Sequence, residues 1–425
     1  MSIAGVAVLT FGLRVGTYLM LAGRWDFQQS LMWDGWGRIA LFMSQGHGLA
    51  DNYRLTYFLL GDNPVPTAAR MPLPVLLFAG TLRVFGNGLL QIVSLQAVID
   101  AGTAVLIYLV TCRLFQSEGF ADADAGRRYG QIAGLLAAVG FACYLPEWSY
   151  AIGFQSEPLQ TFLITAALAL AVFARTRTHL IMTGALFGLA ALANPSLLPF
   201  TALLVPWLIW GRHMTLKRAL LIPLMTLFIV APWGIRNYLI FHRVIVTNTL
   251  SGYNFYRHSG IVEESDYLRY VKYDEADEKI LNLLESRGLT PETISEPDLD
   301  SLLMQEALKI IRAHPWRYIN LCLHRAFWLF YYEDIDDYIV NHPKLYYAFK
   351  LGLYGMLCLA LWRYRGKWAR RLTPLWMMFG YTILAHSIIV AQFRYLLPLV
   401  PLFLSVCAYA AVRGYLEISR AIFRK

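Results

Sequence analysis

Long apolar stretches alternate with short polar connections along almost the whole chain. They fall at about 2–22, 88–112, 130–146, 157–174, 180–194, 196–211, 219–235, 345–362, 373–391 and 396–413. A transmembrane helix needs roughly 20 mostly apolar residues, so this pattern predicts an all-α polytopic membrane protein with about ten spans. The stretch at 3–23 has no basic cluster at its start and no small-residue cleavage site, and is expected to remain as a first helix. Two polar interruptions, 24–87 and 236–344, are much longer than the rest. No internal repeat or low-complexity linker divides the sequence. The expected organisation is one membrane domain, 1–425, with two outer elaborations that carry interfacial helices.

Composition strengthens this reading. Residues are 57% hydrophobic and 15% charged, against about 25% charged in soluble domains, and mean hydropathy is +0.46. The net charge of +9 does not imply a nucleic-acid partner, because the basic residues sit in short runs between spans. Those runs are Arg113/Arg127/Arg128, Arg175/Arg177, Arg212/Lys217/Arg218, Arg363/Arg365/Lys367/Arg370/Arg371 and Arg420/Arg424/Lys425. With ten spans and a cytoplasmic N-terminus, all of them fall on the cytoplasmic side. The loops 24–87 and 236–344 then share the opposite face. The five cysteines are scattered without CxxC or Cys/His spacing, which supports neither a disulfide framework nor a zinc site.

Inside 236–344, residues 263–313 are acidic and helical in pattern, with an N-terminal cap expected at Asp298 or Ser301. Residues 316–332 are aromatic and lightly charged, and read as a helix on or dipping into the interface, where Trp and Tyr concentrate. Residues 73–85 are a candidate for a second such helix. The run Glu333, Asp334, Asp336 and Asp337 reads as a solvated acidic face rather than a cation site, and no spacing specifies a divalent metal.

Several charged residues on the outer side carry candidate chemistry. Asp34 lies between Trp33 and Trp36, at a boundary where a partly desolvated acid can accept a proton. Burial would raise its pKa and nearby Arg38 would lower it; a solvated loop acid is the plainer alternative. Arg70 sits in AARMPLP, where Pro72 and Pro74 fix the backbone entering the next helix. Its fork suits a phosphate, and equally the lipid headgroups. Glu157 opens a span, followed by Pro158, so it complements the helix dipole or serves as a second acid. Arg236 follows APWGI, and Arg394 with Tyr395 lies in AQFRYLLP between the last two spans. Arg14 and Asp100 fall near the middles of their spans, where unpaired charge is costly, and are expected to form a salt bridge. The histidines show no ligand spacing and are assigned nothing.

These features fall in a recognisable order: an acidic outer loop, an arginine–x–proline–x–proline phrase, SEPL, GALFGLAALANPSLLPF, APWGIRNYLIF with VIVTNTLSGYNFY, HPWRY and FRYLLPLVPL. In that order the chain resembles the GT-C superfamily of polytopic glycosyltransferases, in layout like the bacterial relatives of protein O-mannosyltransferases and of the lipid A aminoarabinose transferase (families 39 and 83). The resemblance implies an enzyme of the bacterial inner membrane whose site faces the periplasm. It would move a sugar from a polyprenyl-phosphate carrier to a glycan, lipid or protein acceptor, usually with inversion. It makes Asp34 the base or acceptor-orienting acid and Glu157 a second catalytic acid. Arg70, Arg236, Arg394 and Tyr395 would hold the donor phosphate. The motifs depart from the O-mannosyltransferases at one point: their first loop carries an Asp-Glu pair, whereas Gly35 follows Asp34 here. The soluble C-terminal domain of several relatives is not expected either, since the sequence runs only just past the tenth span.

The residue types fit that chemistry. As a glycosyl phosphodiester breaks it becomes a monoester and gains negative charge, so preplaced guanidiniums favour the transition state over the ground state. A transporter, flippase or polymerase of lipid-linked glycans is the competing class. Transporters tend to place charged sites at the bilayer midplane between inverted repeats, and neither feature is visible here.

Overall fold

The structure, a computed structural model, describes residues 2–21, 26–116, 123–331 and 343–422. The chain begins with α1 (Ile3–Leu21), followed in the first long loop by α2 (Phe27–Met32), α3 (Trp36–Ser44), β1 (Ala50–Asp51), β2 (Tyr53–Arg54), β3 (Phe58–Leu59), β4 (Val65–Pro66) and α4 (Pro72–Phe85). The membrane body continues through α5 (Leu89–Gln116), α6 (Ala123–Ala142), α7 (Leu145–Ala151), α8 (Glu157–Phe173), α9 (Arg177–Ala191), α10 (Phe200–Pro206), α11 (Leu216–Ala219) and α12 (Leu221–Phe241). The second long segment holds α13 (Ser251–Ser259), α14 (Tyr273–Glu285), α15 (Glu296–Ala313) and α16 (Pro315–Tyr331). Helices α17 (Pro343–Arg371), α18 (Thr373–Ile388) and α19 (Val400–Ile422) follow, with a 3-10 helix at Phe393–Leu399.

Each expected span coincides with a helix or a run of short helices. Among the described residues, four helices are long and apolar enough to cross a bilayer: Ile3–Leu21, Leu89–Phe115, Leu216–Phe241 and Phe393–Ser419. A fifth is added if Asp124–Ala142 and Leu145–Ala151, bent by 56°, form one broken span. The 29-residue α17 carries several basic residues, and others such as the 17-residue α8 are shorter, so length and composition make this a multi-pass membrane protein without fixing ten crossings. The first long loop is not wholly helical, since β1 pairs with β4 and β2 with β3 in two small antiparallel ribbons.

Local chemistry explains the helix ends. Proline occupies the first turn of α4, α8, α15 and α18, where no N–H partner is lost. The cap of α15 is Ser295, whose side chain accepts from the Asp298 N–H. The sequence placed it at Asp298 or Ser301. Pro297 extends the helix one turn earlier than the apolar periodicity suggests, so Asp298 lies inside it.

Helix α1 packs on α5, α5 on α6, α6 on α19, and α9 on both α8 and α12. The close approach of α9 to α12 needs the glycines of the GALFG phrase. A Cβ on Gly184 would lie 2.5 Å from the Ile222 carbonyl oxygen, and one on Gly188 would lie 2.6 Å from Ile229 Cβ. The two long polar segments share an apolar core of Leu55, Phe58, Leu250, Tyr253, Ile280, Leu299 and Leu303, which joins them.

Arg14 and Asp100 meet as expected. Arg14 Nε donates to Asp100 Oδ2 at 2.6 Å, and Nη1 reaches the Ala142 carbonyl at 2.8 Å, where α6 breaks from α7. Both side chains are fully buried. Removing one member strands a buried charge, at a typical cost of about 3–5 kcal/mol. Arg14→Met or Asp100→Leu alone is therefore expected to lower the melting temperature more than the double replacement does. Additive losses in thermal denaturation would refute the coupling.

Candidate active site

Asp34 occupies the turn between α2 and α3 with φ 54°, followed by Gly35 at φ 76°. Left-handed backbone costs a non-glycine residue about 1–2 kcal/mol, and Asp tolerates it better than most. A Cβ on Gly35 would lie 2.7 Å from Thr56 Cβ. That crowding, added to the positive φ, explains why the second acid of an Asp-Glu pair has no room here. The turn facing it is also strained, with Leu55 at φ 52° and Thr56 at φ 67°. Backbone strain of this kind gathers at functional sites.

Arg38 braces that facing turn instead of pairing with Asp34. It grips Asp51 through Nε at 3.1 Å and Nη2 at 3.2 Å, and donates to the Thr56 carbonyl at 2.8 Å. The sequence proximity of Arg38 to Asp34 was misleading, because an arginine one helical turn away points along its own helix toward β1.

Asp34 is met instead by residues far along the chain. Arg394 Nη1 donates to Asp34 Oδ2 at 3.1 Å and lies 3.7 Å from Glu157 Oε1. Arg70 Nη2 approaches Asp34 Oδ1 at 3.6 Å. The two carboxylates are only 7% and 8% exposed. Burial pushes the Asp34 carboxyl upward most strongly, yet Arg394 and Arg70, with a smaller pull from Arg257, together hold it below its ordinary value. It is therefore ionised near neutrality. Arg70 Nε and Nη2 and Arg394 Nε are buried without hydrogen-bond partners. A stranded buried guanidinium N–H costs free energy until an acceptor arrives.

These four residues line a cavity of about 250 Å³, which Tyr395 also borders. Five of the six residues expected at the site from sequence, Tyr395 included, thus share one cavity. Arg236 is not on its wall. Its Nη1 donates to the Thr67 carbonyl at 2.8 Å and its Nη2 to the Leu49 carbonyl at 2.9 Å, so it ties the first long loop to α12. The acidic run 333–337 lies outside the described residues.

Residues that the sequence did not single out hold the wall together. Glu296, buried at the start of α15, accepts from Thr67 Oγ1 at 2.7 Å, Ala68 N at 2.7 Å and Thr249 Oγ1 at 2.6 Å. It fixes the segment that delivers Arg70. Glu296→Ala is expected to destabilise the fold by about 1–3 kcal/mol per stranded donor and to lower activity, while Glu296→Gln restores much of both. Equal losses in the two variants, read by melting and turnover, would deny it this bracing role. Ser156, Gln160, Asn194 and Ser196 also line the cavity, and His386 stacks on Tyr395 with ring centroids 3.8 Å apart. A signal for two of them was present in the sequence: Gln160 is a polar residue in an apolar helix, and Asn194 precedes Pro195 as a cap.

No protein-family model and no curated protein matches this chain. Among solved structures it superposes on the Archaeoglobus fulgidus oligosaccharyltransferase, solved tethered to an acceptor peptide containing the NVT sequon. That match has a TM-score of 0.52 at 14% identity, over 99% of this chain and 50% of that one. The likeness is one of fold. This chain spans about half the length of that oligosaccharyltransferase. Looser matches are to ArnT from Cupriavidus metallidurans bound to undecaprenyl phosphate, with TM-score 0.37 at 15% identity over 96% of this chain and 79% of that one, and to its apo state, with TM-score 0.34 at 16% over 97% and 78%. The helical architecture is shared as a fold with that oligosaccharyltransferase, and families 39 and 83 are not singled out.

Proposed function

We propose that this protein is a membrane glycosyltransferase that moves a sugar from a polyprenyl-phosphate carrier to an acceptor on the extracytoplasmic face, with inversion. The observation that carries the reading is the pair of buried arginines, Arg70 and Arg394, with unpaired N–H donors in a cavity shared with Asp34 and Glu157. Such donors call for an anion, and the carboxylates beside them supply a base. The shared fold with an oligosaccharyltransferase supports the same class of reaction.

Asp34 begins as a carboxylate balanced by Arg394 and Arg70. When the donor phosphate draws those guanidiniums away, burial dominates and Asp34 becomes a stronger base. The acceptor hydroxyl passes its proton to Asp34 while its oxygen attacks the anomeric carbon. The carbon–oxygen bond to phosphate breaks from the opposite side, and the phosphate leaves as a monoester with extra negative charge on Arg70 and Arg394. Glu157 orients Arg394 for that task, and Arg236 supports the wall rather than touching the phosphate.

Undecaprenyl phosphate is expected to raise the melting temperature of the purified full-length protein, since a ligand at 100 times its Kd contributes about 2.7 kcal/mol. Membranes bearing the protein should move label from a polyprenyl-phosphate sugar to a new product. Passage of intact donor across the membrane without cleavage would overturn the enzyme reading in favour of a flippase.

A further inference from the structure

A second cavity, of about 550 Å³, lies between α17 and α19. It is remote from the first. Arg394 lies just before α19, which starts at Val400, whereas the polar end of this cavity is at Glu417. At 1.5 Å per residue the two ends of α19 are about 25 Å apart. Among the described residues none borders both cavities. Ala360 of α17 and Ala410, Ala411 and Gly414 of α19 line it. Such short side chains usually let two membrane helices close on each other; here a space remains between them instead.

The cavity is a groove with one apolar and one charged end. Met356, Leu359 and Cys407 line the apolar part, and Met356 and Leu359 are also exposed on the outside of the bundle, so the groove opens toward lipid. From Cys407 to Glu417 it follows α19 for about 15 Å, half of a hydrocarbon core roughly 30 Å thick. At the other end α17 kinks at Tyr364, and Arg363 Nη2 donates to Glu417 Oε2 at 2.6 Å. Arg413 Nε stands 4.0 Å from Glu417 Oε1. Two guanidiniums therefore share one carboxylate, which leaves these three side chains with a charge of +1. Arg363 is 59% exposed, so its fork is open to a ligand as well as to Glu417.

We infer that this groove holds an anionic phospholipid of the bilayer, with one acyl chain along α19 and the phosphate against Arg363 and Arg413. The apolar length fits a chain that reaches from a headgroup to mid-membrane. The charge sets the headgroup: an anionic lipid cancels the surplus +1 while Glu417 keeps its arginine, whereas a zwitterionic lipid leaves the surplus in place. Basic pockets between membrane helices commonly take anionic headgroups for this reason. The inference is independent of the glycosyltransfer reading, whose phosphate belongs beside Asp34 at the far end of α19.

The test is native mass spectrometry of the detergent-purified full-length protein with phosphatidylglycerol or phosphatidylcholine of identical chains. The wild type should retain phosphatidylglycerol at least tenfold more tightly. Replacing both cations, Arg363→Gln with Arg413→Gln, should weaken that binding roughly 25-fold, at about fivefold for each basic residue. Ala411→Phe fills an exposed position in the groove and keeps the charges; it should weaken retention of both lipids. Equal retention of the two lipids by the wild type overturns the inference, as does undiminished phosphatidylglycerol binding in the double variant or in Ala411→Phe. Displacement of phosphatidylglycerol by an equal concentration of undecaprenyl phosphate would give the groove to the carrier lipid and overturn it too.

Discussion

Asp34→Asn is expected to lower sugar transfer by about 10²–10⁴-fold, the range that a positioned general base supplies. The replacement is nearly isosteric, and Asn accepts a left-handed backbone as well as Asp does, so φ 54° at this turn adds no new strain. Folding and undecaprenyl phosphate binding should survive. Loss of the negative charge frees Arg394 and Arg70 from Asp34, so the anion should bind as tightly as before or more tightly. Asp34→Ala would be a poorer test, since it removes the acid and any side-chain hydrogen bonding that eases the strained turn. Wild-type turnover in Asp34→Asn, measured with donor and acceptor at saturation, would end the assignment of Asp34 as base. The acid side of the pH–rate profile follows from the same contacts. Because the guanidiniums hold the carboxyl below its ordinary value in the free enzyme, the rate limited by donor capture should persist to lower pH than a free aspartate would allow.

What the sequence made legible was the chemistry whose residues stand out locally. Asp34 and Arg70 are charges in a polar loop beside apolar spans, and Glu157 and Arg394 interrupt apolar stretches at their ends. Each is conspicuous on its own, and topology alone assigned them to one face. Their meeting was not legible, since Asp34 and Arg394 are separated by 360 positions. The same reasoning failed for Arg38 and Arg236. A guanidinium looks alike in sequence whether it binds backbone carbonyls, a neighbouring acid or a ligand; only the fold shows that Arg236 is spent on the Leu49 and Thr67 carbonyls. Glu296 was hidden for a related reason. It sits in an acidic, solvated-looking stretch, and its burial depends on Thr67, Ala68 and Thr249, none of which is near it in the chain. The spans were read more easily than their number. Hydropathy marks where apolar helices lie, but helices of 15 to 17 residues such as α8, α9 and α18 fall short of the bilayer thickness by themselves.

Arg394→Ala should be the most damaging single change outside the base, because that side chain serves three purposes at once. On the proposed reaction it faces the leaving phosphate as that group gains charge, and removing one such donor typically costs about 2.7–4 kcal/mol, or roughly a hundred- to thousandfold in rate. It also separates two buried carboxylates, lying 3.1 Å from Asp34 and 3.7 Å from Glu157. Without it those acids face each other with only Arg70 and the weaker pull of Arg257 to balance Asp34, and breaking a buried charge network of this kind costs about 3–5 kcal/mol. The third effect has a sign that can be checked. In the wild type the Asp34 pKa is depressed, so its contribution to stability is present near neutrality and fades as pH falls through the lowered value. In Arg394→Ala the largest opposing influence on burial is gone, so the pKa should rise above that of the unfolded chain. Asp34 then destabilises the fold near neutrality, and acidification relieves it. The melting temperature of the variant should therefore increase on acidification from neutrality, where the wild type gains nothing from this group. Arg394→Lys keeps a positive charge without the planar fork, and should recover the stability and its pH dependence far better than the rate. Unchanged kinetics across donor concentrations in Arg394→Ala would remove the residue from the site, and a melting profile parallel to that of the wild type would show that Asp34 does not depend on it.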